Sequence, residues 1–373
     1  PPEELVGAYM ATLARQVTAV RRALDEGGAF QFARAAIGGG TPTLLDPHQL
    51  EQLFALYRAM GAGAVPMSVE TSPETALPDR LAVVVGGGAD RISIGVQSFL
   101  ESECRAVNRP QRPGEVHRAL RAIRDANPAT LNLDLMYGLP GQTAETWRTT
   151  LSSALEYRPE EVYLYPLYVR PLTTLGKKGL GRKGAEAIDH HRVALYDQGR
   201  AMLLEAGYHQ VSLRMFRRGE GASGPVYCCQ DDGMVGLGCG ARSYTRGVHY
   251  STEWAVGARG VRDIIDRWVQ RGEADFAVAD YGIVGDATEQ RRRWLILSLL
   301  SDEGLDLAAY RARFDAPVEA DFPELAELAP QGLAEQRGDL LALTPAGLAR
   351  ADAIGPWLYS SEVRTRMAEY ELL

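Results

Sequence analysis

"TLNLDLMYGLPGQTAETWRTTLSSALEY", residues 130 to 157, holds a β-type run (130 to 138) and then a helical stretch that begins near Thr143. The same unit recurs along the chain. Other β-type runs are "ARAAI" (33 to 37), "PMSVETS" (66 to 72), "DRISIGVQSF" (90 to 99) and "EVYLYPLYV" (161 to 169), with helical patterns such as "PHQLEQLFALYRAM" and "PGEVHRALRAIRDA" between them. Strand and helix alternate with a repeat of roughly 25 to 40 residues, the rhythm of βα units around a parallel sheet. Five such strands fit a partial barrel or a doubly wound sheet, and periodicity alone does not choose between them.

Outward from this region, residues 4 to 25 carry Leu5, Val6, Tyr9, Met10, Leu13, Val17, Val20 and Leu24 at helical spacing. From about residue 170 to 280 the pattern blurs. "HHRVALYDQGRAMLLEAG" (190 to 207) reads as a helix ending at Gly207, and "DDGMVGLGCGARSYTRGVHYS" (231 to 251) is glycine-rich and then β-like. From Glu289 the helical pattern returns, and "DLLALTPAGLARADAI" (339 to 354) reads strand, turn, helix. The expected division is a barrel with connecting helices over 1–284 and a small winged-helix-like domain over 285–373.

The chain has 373 residues and a formal net charge of −8; 46% of residues are hydrophobic and 24% charged, as in an ordinary soluble globular protein. This acidity argues against broad binding to nucleic acid or an anionic membrane. No apolar run reaches membrane-spanning length, and no signal peptide is visible, although the sequence opens at Pro1 without an initiator Met. Four cysteines, Cys104, Cys228, Cys229 and Cys239, are too few for a disulfide framework and suggest a reducing, cytoplasmic setting.

In barrel-type α/β proteins the chemistry sits at the C-terminal ends of the strands. Those ends hold Gly38, Gly39, Gly40 and Thr41; then Glu70, Thr71 and Ser72; then Gln97; then Asp134 and Gly138; then Tyr165, Tyr168 and Arg170. The set has no serine in a nucleophile elbow, and the chain's six His residues show no metal-ligand spacing. No catalytic residue is assignable. The set does suit binding of a polar small molecule that carries an adenosine. Bare glycine amides admit close approach, carboxylates such as Glu70 or Asp134 accept from ribose hydroxyls, and Arg109 can pair with a carboxylate. Each residue also has a plainer reading. The glycine run can be a tight turn, Glu70 and Asp134 structural carboxylates, Gln97 and Arg109 surface or capping residues, the cysteines inert thiols, and Tyr163, Tyr165 and Tyr168 core or cavity wall.

"GGGTPTLL", "SVETSPE", "DRISIGVQSF", "AVNRP", "NLDLMYGLPGQT" and "GLGCGARSY" occur in that order. With them the chain resembles the oxygen-independent coproporphyrinogen III dehydrogenase family of radical S-adenosylmethionine (SAM) enzymes, from about residue 4 to the C-terminal module. "YLYPLYVRPLTTLG", "RMFRR" and "YCCQDDGMVGLGCGARSY" mark a divergent, less characterised subgroup. The resemblance implies a partial (β/α)6 barrel whose first strand is missing here, a [4Fe-4S] cluster and two SAM molecules. It assigns Gly39 and Glu70 to the first SAM, with Tyr168 and Arg242 at the same adenosine, where residue types differ from the family. It assigns Gly40, Thr41, Gln97, Arg109 and Asp134 to the second SAM; the glycines would then leave room for two methionyl groups. The three cluster cysteines are expected upstream of Pro1, on a loop that this sequence does not include.

The implied function is generation of a 5'-deoxyadenosyl radical for C-methylation or cyclopropanation of a small unsaturated molecule. The alternatives are oxidative decarboxylation of coproporphyrinogen III, for which Arg170, Arg214, Arg217 and Arg218 could hold propionates, and a haem-binding chaperone. The implied partners are a small-molecule substrate and an electron donor such as flavodoxin or ferredoxin, without nucleic acid or membrane.

Overall fold

The computed structural model describes residues 3–169, 185–219, 233–253, 255 and 257–370. Helix α1 (Glu3–Glu26) precedes five strand-helix steps. These are β1 (Ala35–Ile37) with α2 (Pro47–Ala59), β2 (Met67–Thr71) with α3 (Pro78–Gly86), β3 (Arg91–Gln97) with α4 (Glu101–Ala106) and α5 (Pro113–Ala126), β4 (Thr130–Tyr137) with α6 (Ala144–Glu156), and β5 (Glu161–Pro166) with α7 (Ala185–Glu205). All five β-type runs are strands, and they pair in parallel in chain order.

A hairpin, β6 (Tyr208–Gln210) and β7 (Met215–Arg218), extends the same sheet antiparallel beyond β5, in the order β1-β2-β3-β4-β5-β7-β6. These two strands fall in the stretch where the sequence pattern blurs. Each is only a few residues long, so neither shows enough alternation to stand out. At the other edge, β1 pairs only with β2 among the described residues.

Side chains alternate across a strand, so each strand presents two different faces. Val69, Ile92, Ile94, Leu131, Leu133, Val162 and Leu164 form one face, and all are buried. The helices cover that face. Trp147 on α6 is fully buried and donates Nε1–H to the Leu195 carbonyl of α7 at 2.8 Å. A Cβ on Gly87, after α3, would lie 2.7 Å from the Phe54 ring of α2. Helix starts are fixed locally: Asp46 and Gln49 cap α2 reciprocally, as do Thr143 and Thr146 at α6.

The opposite face is polar. Register aligns Glu70, Ser93, Asn132, Glu161 and Arg217 in one row across β2, β3, β4, β5 and β7. The helices therefore sit on the apolar face, and the polar face lines the interior of a partial barrel. This resolves the choice that periodicity left open. Within that interior, Glu161 accepts from Arg91 Nε at 2.7 Å and from Arg217 at 2.9 Å, and all three side chains are buried.

Past the sheet come β8 (Ser243–Tyr244), β9 (Val248–Tyr250), α8 (Ala258–Val269) and β10 (Gly282–Val284), with the three strands paired as a small antiparallel sheet. Met10 and Leu13 of α1 pack on Trp268 of α8 in a second apolar cluster. The C-terminal portion begins with α9 (Ala287–Leu299), then β11 (Leu305–Asp306), α10 (Leu307–Phe314), α11 (Val318–Asp321), β12 (Ala334–Arg337), β13 (Leu340–Leu343), α12 (Pro345–Leu348), α13 (Ala351–Trp357) and α14 (Ser361–Glu369). Its three strands form their own antiparallel sheet, β11-β13-β12. The apolar core runs without a break from the barrel into this portion, through Leu295, Leu299, Tyr310, Ile354 and Leu358.

Candidate functional site

The glycine run ends β1. Gly38 follows the interior-facing alternation, and a Cβ there would lie 2.7 Å from the Glu70 carboxyl group. Gly39 and Gly40 have φ of 80° and 76°, the left-handed region that glycine adopts freely, and space within 4 Å of their Cβ positions is open. Gly39 N–H donates to Glu70 Oε2 at 3.1 Å. The following Pro42 and Thr43 are structural: both are buried, and the Thr43 hydroxyl meets those of Thr71 and Thr75 at 2.7 Å each. The run is thus both a tight turn and a bare cradle, with an exposed carboxylate at its wall.

Asp134 stands on β4 beside Gly95 of β3. Asn132 donates to its Oδ1 at 2.8 Å, and Ser93 Oγ lies 3.5 Å from its Oδ2. Burial pushes the Asp134 carboxyl up to about 6, against the opposing pull of the Asn132 bond and the Arg91 charge. The Glu70 charge also raises it, so the two carboxylates share one field. Asn132 is 1% exposed, and its Oδ1 has no hydrogen-bond partner, an acceptor without a donor in the barrel interior.

Gln97 closes β3 with φ 66°, unusual for a residue with a side chain, at a register shift against β4. A Cβ on Gly95 would lie 2.9 Å from Gln97 Nε2, so glycine there leaves room for the amide. Such strain at a strand end marks a place where side-chain direction matters more than backbone comfort.

Arg109 is exposed on the loop after α4. Its backbone N–H donates to the Cys104 carbonyl at 3.0 Å. The loop is tied to β3 through Gln111, whose amide donates to the Val96 carbonyl and lies 2.9 Å from Cys104 Sγ. Gly39, Gly40, Thr41, Glu70 and Gln97 therefore lie at the C-terminal ends of β1, β2 and β3, with Asp134 inside the neighbouring β4 and Arg109 on a loop tied to β3.

Tyr168 stands apart from that group, at the β5 end. It is 52% exposed, and its hydroxyl accepts from Arg214 at 2.9 Å. Arg242 is exposed on the "GLGCGARSY" loop, which docks on α1 through Gly238 N–H to Gln16 (2.7 Å) and Cys239 N–H to the Tyr9 hydroxyl (2.9 Å). Among the described residues no bond joins Tyr168 or Arg242 to Gly39 or Glu70.

Sequence reasoning missed the layer that holds the strand ends. Glu103 is 3% exposed; its Oε2 accepts from Ser98 Oγ (2.6 Å) and from Gln142 Nε2 (3.1 Å). Gln142 Oε1 in turn accepts the Gly138 N–H at 2.7 Å. This network ties the ends of β3 and β4 together. Of the four arginines expected at the mouth, Arg217 pairs with Glu161 and Arg218 with Glu160, while Arg170 lies outside the described residues.

The glycine cradle, the Glu70 and Asp134 carboxylates and the Asn132 acceptor fit a polar nucleotide with an amino-acid tail. A cluster does not fit the described residues. Cys104 is buried against Gln111, Cys239 lies half-buried at α1, Cys228 and Cys229 are outside the described residues, and no group of three metal-ligating side chains is found among those described.

Comparison with known proteins bears on the fold and its domains. The Radical SAM superfamily matches residues 11–154, and the HemN C-terminal domain matches residues 286–350. The heme chaperone HemW of Escherichia coli is 32% identical over 214 residues, 55% of this chain and 54% of that protein. The oxygen-independent coproporphyrinogen III oxidase of Bradyrhizobium diazoefficiens is 26% identical over 364 residues, 91% of this chain and 77% of that protein. The solved coproporphyrinogen III oxidase HemN from E. coli superposes with a TM-score of 0.77 at 22% identity, over 95% of this chain and 83% of that one. The matched segments span 54% and 64% of the HemW proteins of E. coli and Synechocystis.

The family match marks residues 11–154 as a radical SAM domain. The chain is similar both to the coproporphyrinogen oxidases and to the heme chaperones of that superfamily. No helix among the described residues is long and apolar enough to cross a membrane.

Proposed function

We propose that this protein is a radical SAM enzyme whose substrate is a tetrapyrrole bearing carboxylate side chains. The observation that carries the reading is the pairing of two unlike surfaces on one barrel mouth: the glycine cradle with Glu70 and Asp134, and an arginine–tyrosine cluster at the β5 end. When bound, SAM supplies hydrogen-abstraction chemistry. The chain's own residues do the rest. Glu70 holds the Gly39 turn and offers an oxygen to the ribose. Asp134, Asn132 and Gln97 take the polar groups of a second nucleotide, with Arg109 available to its carboxylate.

The relatives support tetrapyrrole handling better than C-methylation or cyclopropanation, since those described above are named as a haem chaperone and coproporphyrinogen oxidases. Haem carriage is the second reading, favoured by the 32% identity to the E. coli chaperone. A division near residue 284, three cluster cysteines upstream of Pro1, a cytoplasmic setting and a flavodoxin- or ferredoxin-type electron donor belong to the same proposal. So does the absence of nucleic-acid and membrane partners.

The test is anaerobic incubation of the full-length reconstituted protein with SAM, reductant and coproporphyrinogen III. Formation of 5'-deoxyadenosine together with a vinyl product supports the enzyme reading. Stoichiometric haem binding without vinyl product moves the assignment to carriage, and neither outcome refutes tetrapyrrole handling altogether unless both fail. Loss of product in Gln97→Ala and Arg109→Ala is expected if a second SAM is used; product surviving both changes removes the second site.

A further inference from the structure

Arg214 precedes β7, and its backbone carbonyl accepts the Leu164 N–H at 2.9 Å, which fixes it beside β5. Its guanidinium carbon lies over the Tyr165 ring at 5.5 Å and over the Tyr168 ring at 5.7 Å. One N–H is taken by the Tyr168 hydroxyl. Arg192 of α7 approaches the same Tyr168 ring, at 5.9 Å. Among the described residues, Arg214 has no carboxylate partner, in contrast to Arg217 and Arg218 a few positions on. Tyr165 feels both Asp134 and Arg214, so the cluster adjoins the nucleotide side of the mouth.

A guanidinium laid over aromatic rings is held in place and partly stripped of water, while its other N–H donors stay open to a planar acceptor. A carboxylate matches that fork in bidentate fashion. We propose that Arg214, held by Tyr165 and Tyr168, is the receptor for a carboxylate of the substrate. The inference rests on the tetrapyrrole reading and deepens it, because it names which atoms recognise the acidic side chain. The same chemistry could be met by the methionyl carboxylate of SAM, so the experiment must separate the two sources.

Full-length reconstituted protein is titrated anaerobically with coproporphyrin III, with its tetramethyl ester and with SAM, using wild type, Arg214→Gln and Arg214→Lys. Circular dichroism and thermal melting check the fold of each variant. Arg214→Gln is expected to weaken coproporphyrin III binding by about tenfold to a hundredfold. Arg214→Lys keeps the charge but not the fork and is expected to restore only part of that loss. The ester binds weakly in every case, and SAM affinity stays constant. Undiminished coproporphyrin III binding by Arg214→Gln overturns the assignment alone. An equal loss of SAM affinity also overturns it, by giving the arginine to the cofactor. A wild type that binds neither porphyrin overturns the tetrapyrrole reading and this assignment with it.

Discussion

The two halves of the barrel mouth are built from opposite materials. Across β1 to β4 the strand ends carry glycines, Glu70, Gln97 and Asp134: bare backbone, acidic groups and one strained residue. Across β5 and β7 they carry Tyr163, Tyr165, Tyr168 and Arg214, with Tyr163 and Tyr165 stacked at 5.9 Å. Both halves stand on the same apolar outer face, so packing does not account for the difference. An acidic, backbone-rich wall accepts from hydroxyls and attracts a sulfonium or ammonium. A cationic, aromatic wall takes a flat acid. The contrast shows one interior sorted by charge, with a wall suited to a cation on one side and a wall suited to an anion on the other.

The seam between the halves is Glu161, whose side chain is 5% exposed between Arg91 of β3 and Arg217 of β7. It is also where the largest effect is expected. Removing one member of a buried ion group strands charge in a medium that solvates it poorly, at a cost of about 3–5 kcal/mol. Glu161→Ala should therefore unfold at markedly lower denaturant concentration, measured by urea titration of the far-ultraviolet signal. A loss below about 1 kcal/mol would mean that the seam is hydrated and the two halves are independently supported.

Much of this scaffold is legible in the sequence. The five parallel strands follow from repeated β-type runs and intervening helical patterns, because burial against helices imposes that periodicity over many residues. The open turn of Gly38 to Gly40 was legible for the same kind of reason: three adjacent glycines are costly unless something needs the space, and Gly38 leaves it to the Glu70 carboxyl group. The hairpin β6–β7 was not, since strands of three and four residues leave too short a pattern. Nor was the layer of Glu103 and Gln142, which depends on a helix and a loop meeting in space. Arg214, Arg217 and Arg218 look equivalent in "LRMFRR", and only their partners separate them. The polar interior did leave a trace in "RISIGVQ" and "LNLDLM", where Arg91, Ser93, Asn132 and Asp134 alternate with apolar residues.

A smaller effect sharpens the acidic half. The Asp134 carboxyl is raised from its usual range to about 6, chiefly by burial. Its contribution is favourable while it is protonated, in full below the unfolded value near 4, and is lost as pH rises through about 6. Asp134→Asn should remove that slope. The stability difference between variant and wild type is expected to move by about 1–3 kcal/mol in favour of the variant between pH 4 and 7, on the scale of 1.4 kcal/mol per unit. Urea midpoints across that range decide it. Parallel profiles would mean that the carboxyl is solvated from the mouth.

The smallest stability effect is expected at Gln97, and it separates fold from function most cleanly. A side chain at φ 66° costs about 1 kcal/mol or somewhat more in the folded state. Glycine removes that strain but gives the unfolded chain extra freedom, worth about 0.5–1 kcal/mol in the other direction. The two terms nearly cancel, so Gln97→Gly should lie within about 1 kcal/mol of wild type. SAM binding should fall in stoichiometry or affinity nonetheless, because the amide over Gly95 is gone. Coproporphyrin III binding should be unchanged, since Gln97 belongs to the acidic half. A variant more than about 2 kcal/mol less stable, with SAM binding intact, would make the strained residue a structural bulge and dissolve its place in the site.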